Sequence, residues 1–529
     1  MKSVMTHQFS RVPKAEIPRS SFDRSHGHKT TFDAGYLIPI FADEALPGDT
    51  FKLNMHGFGR LATPIYPLMD NMYLDTFFFA IPKRLLWNNW QKFNGEQTNP
   101  GDSTDYTIPQ LNGGPATFTE GTIHDYFGLP VAPQLTQPIA VSALFHRAYN
   151  LVWNEWFRDQ NMQDSVPVSR GDGPDDGSTY TLLKRGKRHD YFTSCLPWPQ
   201  KGPGVQLPLG TTAPIRSDGT VGWVTDSTGN DRALGTVSGQ QAVGVSAAWG
   251  ATDSLYWGKN ADTGATGLEA DLSQAASATI NSLRQAFQIQ KVFERDARGG
   301  TRYTELIKAH FGVTSPDARL QRPEFLGGGS SPISVSPIPQ TSASGTYAET
   351  PQGNLAAMGT VSTHKNGFTT SFTEHCVVIG LACVRADLTY QQGLNRMWSR
   401  KTRFDFYWPA LAHIGEQAVL QKEIFATGVQ AEDDKVFGYQ ERYAEYRYKP
   451  SQITGLFRSS AAQSLDAWHL SQDFATAPVL DAAFIEENPP IDRVIAVPSE
   501  PHLIMDMYFQ MRCARPMPVY GVPGLIDHF

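Results

Sequence analysis

Runs in which apolar and polar residues alternate recur along the chain between proline and glycine punctuation, the pattern of half-buried strands joined by turns. Phe51, Leu53 and Met55 alternate with Lys52, Asn54 and His56 after the turn Leu46-Pro47-Gly48-Asp49, predicting a strand with one wet face. The stretch Tyr73 to Ile81 is apolar on both faces through Leu74, Phe77, Phe78, Phe79 and Ile81, so it should lie centrally or be covered twice. Near the other end, Leu503, Met505, Met507, Phe509 and Met511 alternate with His502, Asp506, Tyr508, Gln510 and Arg512. Strands at both ends of the chain imply a sheet that closes over a long sequence distance. The whole texture is that of a β-sandwich or jelly roll.

Helical spacing interrupts this texture. Val141, Leu144, Phe145, Ala148, Tyr149, Val152 and Trp156 form one apolar stripe. A second helix is predicted over about 272–297 from Ile280, Leu283 and Phe287, and a shorter amphipathic one over Tyr303–Phe311, after Gly299-Gly300. From Gly204 to Gly267 the pattern changes again, with twelve glycines and many small polar residues. Trp223, Trp249, Tyr256 and Trp257 also stand in this stretch, and flexible linkers lack such residues. It reads as a projecting, folded insertion with a small core of its own; a disordered loop is the alternative. Gly327 to Gly367, with a Gly-Gly-Gly start and spaced prolines, reads as an extended surface connection.

The 529 residues exceed what one simple core needs, so elaborate insertions or several domains are expected. Charged residues make up only 18%, against roughly 25% in an average domain, while aromatics reach 11%. A chain short of charge and rich in aromatics tends to have much of its surface covered by partners. The net charge of -7 argues against coating nucleic acid with the whole surface, so any basic contact must be local. Residues 1–30 carry Lys2, Arg11, Lys14, Arg19, Arg24 and Lys29 against Glu16 and Asp23. That basic arm suits phosphate or an inner surface, or is simply a solvated terminus. Cys195, Cys376, Cys383 and Cys513 have no CxxC spacing and read as reduced, buried thiols. Met1 to Lys14 lacks the apolar core of a signal peptide, and the longest apolar run, Cys376 to Val384, is far short of a membrane span, so folding in a cytoplasm and no membrane insertion are expected.

Catalytic patterns are missing. No GxSxG elbow, P-loop, HExxH or EF-hand loop occurs. His26 and His28 flank Gly27 but have no third ligand nearby in sequence, so no metal site is expected. Glu155, between Trp153 and Trp156, is the most tempting acid for glycoside hydrolysis, yet no partner carboxylate can be named. No cofactor and no enzymatic activity are therefore expected. Tyr439, Arg442, Tyr443, Tyr446, Arg447 and Tyr448 could stack bases of a single strand, but Glu441 and Glu445 would repel phosphate. A strand at a subunit contact, where Tyr and Arg are enriched, explains these residues better.

Long ordered blocks carry a more specific signal. FDRSHGHKTTFDAGYLIPI from Phe22, MDNMYLDTFFFAIPKRLLWNNW from Met69, RAYNLVWNEWFRDQ from Arg147, RHDYFTSCLPWPQKGP from Arg188, FGYQERYAEYRYKPSQITGLFRS from Phe437 and the terminal RPMPVYGVPGLIDHF are among them. Together they resemble the major capsid proteins of the Microviridae, most closely the gokushovirus branch. The resemblance implies a single eight-stranded jelly roll with long loop and helical insertions, assembled as a T=1 shell of sixty copies around circular single-stranded DNA. It divides the chain into a basic arm (1–30), strands with an inserted helix (31–203 and 141–162), a surface protrusion (204–270), a helical insertion (271–326) and the remaining strands and C-terminal tail (327–529). It further implies a small basic packaged DNA-binding protein, a DNA pilot protein and a host cell-surface receptor as partners, and the virion as the site of residence.

On that footing Arg11, Lys14, Arg19, Arg24 and Lys29 are candidates for DNA contact. Trp223, Trp249, Tyr256 and Trp257 are candidates for the receptor-facing protrusion. Tyr439, Arg442, Tyr443, Tyr446, Tyr520 and Phe529 are candidates for subunit interfaces. A separate receptor- or carbohydrate-binding spike, and a β-sandwich glycoside hydrolase, share the β texture and stand as alternatives.

Overall fold

The computed structural model describes residues 18–205, 280–341 and 353–520, with the backbone of five short strands between 215 and 270. The chain forms two compact units, one of Met1–Pro199 with Gly299–Phe529 and one of Gln200–Arg298.

The larger unit is built on one antiparallel sheet. Its strands are β1 (Ser20–Asp23), β2 (His26–Phe32), β3 (Ile38–Ala45), β4 (Thr50–Leu61), β5 (Met72–Pro82), β6 (Glu324–Pro339), β7 (Leu355–Ser371), β8 (Cys376–Ala386) and β9 (Leu503–Arg515). The spatial order is β1/β2-β9-β4-β7-β6-β5-β8-β3. β1 and β2 pair successive stretches of β9, residues 512–515 and 503–509, so the nine strands fill eight positions. The sheet curls until its two edges meet through side chains. Arg24 binds Asp43 with two hydrogen bonds of 2.6 and 3.0 Å, and His28 Nδ1 donates to the Ile40 carbonyl at 2.9 Å. The His26 ring packs against both Phe41 and Phe509, which also touch each other.

This curl encloses the main core. Phe51, Leu53 and Met55 from β4 and Met505, Met507, Phe509 and Met511 from β9 point inward and are fully buried, as their alternation predicts. Each such side chain contributes roughly 1.5–3 kcal/mol by leaving water. Leu74 and Phe78 of β5 join this interior, while Phe79 and Ile81 face a second apolar layer outside the sheet. That layer consists of the helix α1 (Leu144–Val152), Trp87, Phe118 and Ile123, packed also on Val377, Ile379, Leu381 and Cys383. Every residue of β8 is consequently buried, which explains why it is the longest apolar run. A third core gathers Tyr191, Phe192, Cys195, Tyr390, Val419, Ile424 and Phe437.

Several expectations are reshaped. The helix expected over 141–162 is α-helical for Leu144–Val152 and ends in a π-helical turn, Trp153–Phe157, which holds Glu155. The stretch from Gly327 is no surface connection: β6 and β7 are long strands of the main sheet. Its glycines serve close backbone approach. A Cβ on Gly328 would sit 2.0 Å from the Thr76 carbonyl oxygen, and one on Gly367 1.9 Å from that of Leu53. Ser20–Asp23 and His26–Phe32 of the basic N-terminal segment are likewise strands, because β9 offers them a hydrogen-bonding edge. The short helix is found as α3 (Tyr303–Phe311), closed by Gly312 at φ +70°.

In the smaller unit, strand Gly222–Thr225 pairs with Asp231–Leu234 and with Tyr256–Trp257, and Ile215–Ser217 pairs with Leu268–Ala270. The helix α2 (Ile280–Gly299) follows.

Candidate subunit-contact surface

Three one-turn 3-10 helices, Arg396–Trp398, Arg403–Asp405 and Pro409–Leu411, follow β8 in the chain. Short polar side chains shape them. Asn395 Oδ1 accepts from the Met397 amide at 3.0 Å, and Asp405 Oδ2 accepts from the amides of Lys401 and Thr402 at 2.8 and 2.7 Å. The Thr402 and Lys401 amides hold the Asp405 carboxyl below the usual range. Such tight turns leave large side chains nowhere to go but outward. Met397, Trp398, Phe404, Phe406, Tyr407 and Trp408 are all exposed, Trp398 to 72%. Tyr446 and Tyr448 lie exposed in the same region, the former reached from Tyr407 by a ring contact at 6.2 Å.

Arginines stiffen this surface from below. Arg396 binds the buried Glu423 at 2.9 Å, and Arg400 reaches the buried Glu445 carboxylate at 3.5 Å. Burial raises the pKa of Glu423, while Arg396 and the Tyr191 hydroxyl, which donates to it at 2.9 Å, pull the other way. The guanidinium of Arg400 lies 4.3 Å from the Tyr446 ring centre, and that of Arg403 lies 4.4 Å from Trp408. These contacts occupy the cations within the subunit and leave a rigid face of aromatic rings. Exposed Trp, Tyr and Arg held in place at little further entropic cost is the composition of a protein–protein hot spot.

The interface candidates from the sequence fall unevenly on this surface. Tyr446 is exposed there, whereas Tyr443 is buried in the left-handed region at φ +64° and donates to the Phe404 carbonyl at 3.1 Å. Arg442 donates to the same carbonyl at 2.9 Å. Tyr439 is half-buried in the strand Val436–Glu441, bridged to Leu196. Tyr520 is 84% exposed, and Phe529 lies outside the described residues. The aromatic run 397–408 was missed by sequence reasoning. Its signal was the spacing of Arg396, Arg400 and Arg403 among rings in a stretch without strand or helix period.

Of the DNA candidates, Arg11 and Lys14 lie outside the described residues. Arg19 donates to the Gly48 carbonyl at 2.7 Å, Arg24 is paired with Asp43, and Lys29 with Asp506 at 3.0 Å. Of the protrusion candidates, Trp223, Tyr256 and Trp257 come together in the small three-stranded sheet, and Trp249 lies outside the described residues. His26 and His28 are engaged in the edge seam, and among the described residues no group of three or more His, Cys, Asp or Glu side chains is placed to hold a metal. All four cysteines are buried and free, and burial pushes the Cys376 and Cys383 thiols up to about 12. Among the described residues no helix is long and apolar enough to cross a membrane.

A curled eight-position antiparallel sheet, with helices and long loops inserted between its strands, defines a coat protein of the viral jelly-roll class. Comparison with known sequences makes this specific. A model of the capsid protein (F protein) family matches residues 10–525. The chain is 49% identical to capsid protein VP1 of Bdellovibrio phage phiMH2K, over 99% of this chain and 98% of that one. It is 45% identical to capsid protein VP1 of Chlamydia phage 1, over 99% and 98%, and 38% identical to capsid protein VP1 of Spiroplasma virus 4, over 98% and 97%. The chain belongs to this capsid protein family, in its gokushovirus-like Microviridae branch.

Proposed function

We propose that this chain is the shell-building subunit of a T=1 particle of sixty copies that encloses a circular single-stranded DNA genome. The observation that carries the reading is the rigid, exposed aromatic surface of residues 397–408 on a subunit of the capsid family. Left in water, so large an apolar patch is a liability; buried against a neighbour, it supplies hot spots for contacts of roughly 1,000–2,000 Å² each. Closed symmetry multiplies modest pairwise affinities into a stable shell. The proline-rich tail from Arg515, with Tyr520 and Phe529, extends these contacts to a neighbouring subunit. Assembly takes place in the host cytoplasm.

Charge sets the terms of packaging. Residues 1–30 carry six basic and two acidic groups, so sixty copies supply about +240, against phosphates numbering on the order of thousands. A small basic packaged protein makes up the deficit, and a DNA pilot protein travels with the genome. The insertion 204–270, with Trp223, Trp249, Tyr256 and Trp257, forms the protrusion that meets the host receptor. Electron microscopy of the purified protein tests the core of this reading. Closed shells of uniform size are expected; soluble small oligomers only would favour a separate spike and overturn it.

A further inference from the structure

The outward face of the main sheet is roofed by α1 and its neighbours over β5 and β8, whereas over β4 and β9 its outward-pointing residues are exposed or half-buried. The antiparallel register puts its residues in a defined array: Lys52 opposite Arg512, Asn54 opposite Gln510, His56 opposite Tyr508, Phe58 opposite Asp506 and Arg60 opposite Ile504. Phe58 is 56% and Tyr508 51% exposed. The rings of His56 and His364 meet beside them at 6.1 Å. Aromatic rings therefore fill the middle of the array, and cations stand at both ends.

Charge on this face departs from that of the chain. Asp506 is matched by Lys29, and Asp23, which accepts two hydrogen bonds from Ser25, stands opposite Arg512 at the rim and partly offsets its charge. Among the described residues, Lys52, Arg60 and Arg512 form no salt bridge, in a chain whose net charge is -7. From Lys52 to Arg60 the strand covers about 26 Å at 3.3 Å per residue. Rings that stack on any base, flanked by cations over a span of several nucleotides, are what a sequence-tolerant single-strand platform requires.

We propose that the outward face of β4 and β9 binds single-stranded DNA, with bases stacked on Tyr508, Phe58 and His56 and phosphates held by Lys52, Arg512 and Arg60. The inference rests on the reading of this chain as a genome-enclosing coat, and moves the main DNA contact from the N-terminal arm to the sheet.

The test uses purified full-length protein and a fluorescent oligothymidine of about twenty nucleotides, a few platform lengths. Anisotropy is read across a salt series, with electron microscopy of the same samples and circular dichroism to confirm folding. Tyr508→Ala and Phe58→Ala should each weaken binding roughly five- to hundredfold, the range for loss of one stacked base. Lys52→Ala with Arg512→Ala should lower the slope of log affinity against log salt by about 1.4, two contacts at about 0.7 each. Lys308→Ala, an exposed lysine on α3 away from both the platform and the 397–408 surface in sequence, should change neither. Unchanged oligonucleotide binding in the folded platform variants overturns the proposal; if those variants also stop shell formation, the face joins subunits instead. Failure of the wild-type protein to form shells would count against the coat reading, independently of the anisotropy result.

Discussion

Replacing Arg147 by methionine should be among the most damaging single changes in the larger unit. The Arg147 side chain is fully buried on α1 and ends in four hydrogen bonds: Nε and a terminal nitrogen to Asp175 at 2.8 and 2.6 Å, and the other terminal nitrogen to the Leu86 and Gly171 carbonyls at 3.1 and 2.9 Å. One side chain thus ties α1 to two loops and to the Asp175–Asp176 strand. Methionine keeps most of the volume and none of the charge. It leaves Asp175 buried with only the Tyr180 hydroxyl, at 2.7 Å, as a side-chain partner, and two carbonyls without a donor. Breaking a buried pair from one side costs about 3–5 kcal/mol, because the remaining charge has no compensation. Burial works against the Asp175 charge, yet Arg147 and Tyr180 outweigh it and keep its pKa low. Denaturant titration of the unassembled subunit measures the loss. Adding Asp175→Asn to Arg147→Met should recover a substantial part, since the orphaned charge is then gone. A loss below about 1 kcal/mol for Arg147→Met, or no recovery in the double variant, would refute this reasoning.

Three further outcomes are expected. His146 is buried against His124, at 3.0 Å, and burial first, then that neighbour, lowers its pKa to about 3. Its unfolded value near 6.5 is higher, so the unfolded chain binds the extra proton and stability falls as pH drops from about 6.5 toward 3, with no contribution above that window. At pH 5 the deficit is about 2 kcal/mol, and unfolding measured at pH 7 and pH 5 should show His146→Gln to be the less acid-sensitive chain. Gly367→Ala drives a methyl group into the Leu53 carbonyl of the neighbouring strand and should destabilise the sheet by about 1–3 kcal/mol, read as a lowered melting temperature or lost soluble yield. Trp398→Ala removes a side chain that is 72% exposed, so the subunit should melt as before while the concentration needed for shell formation, followed by light scattering, rises at least about tenfold.

Period-two alternation made β4 and β9 legible in the sequence, because one wet face and one dry face leave a local imprint on each strand, whereas β5, dry on both faces, was legible as a stretch apolar on both sides. The same logic located α1 and α3, whose stripes need only one neighbouring surface. The long sequence blocks carried the family. Composition alone could not tell that β6 and β7 are strands, because a glycine required for close backbone approach looks like a glycine required for a turn. Nor could it separate Tyr443, folded under Phe404, from Tyr446, which faces solvent three residues later. Pairing across hundreds of residues decided the rest. Only the register of β9 with β4 sets Lys52 beside Arg512 and His56 beside Tyr508, and only the closure of the sheet commits Arg24 to Asp43. Burial is a property of a residue and its near neighbours and so is written along the chain; which polar groups meet depends on contacts between distant segments, and exists only once they have folded together.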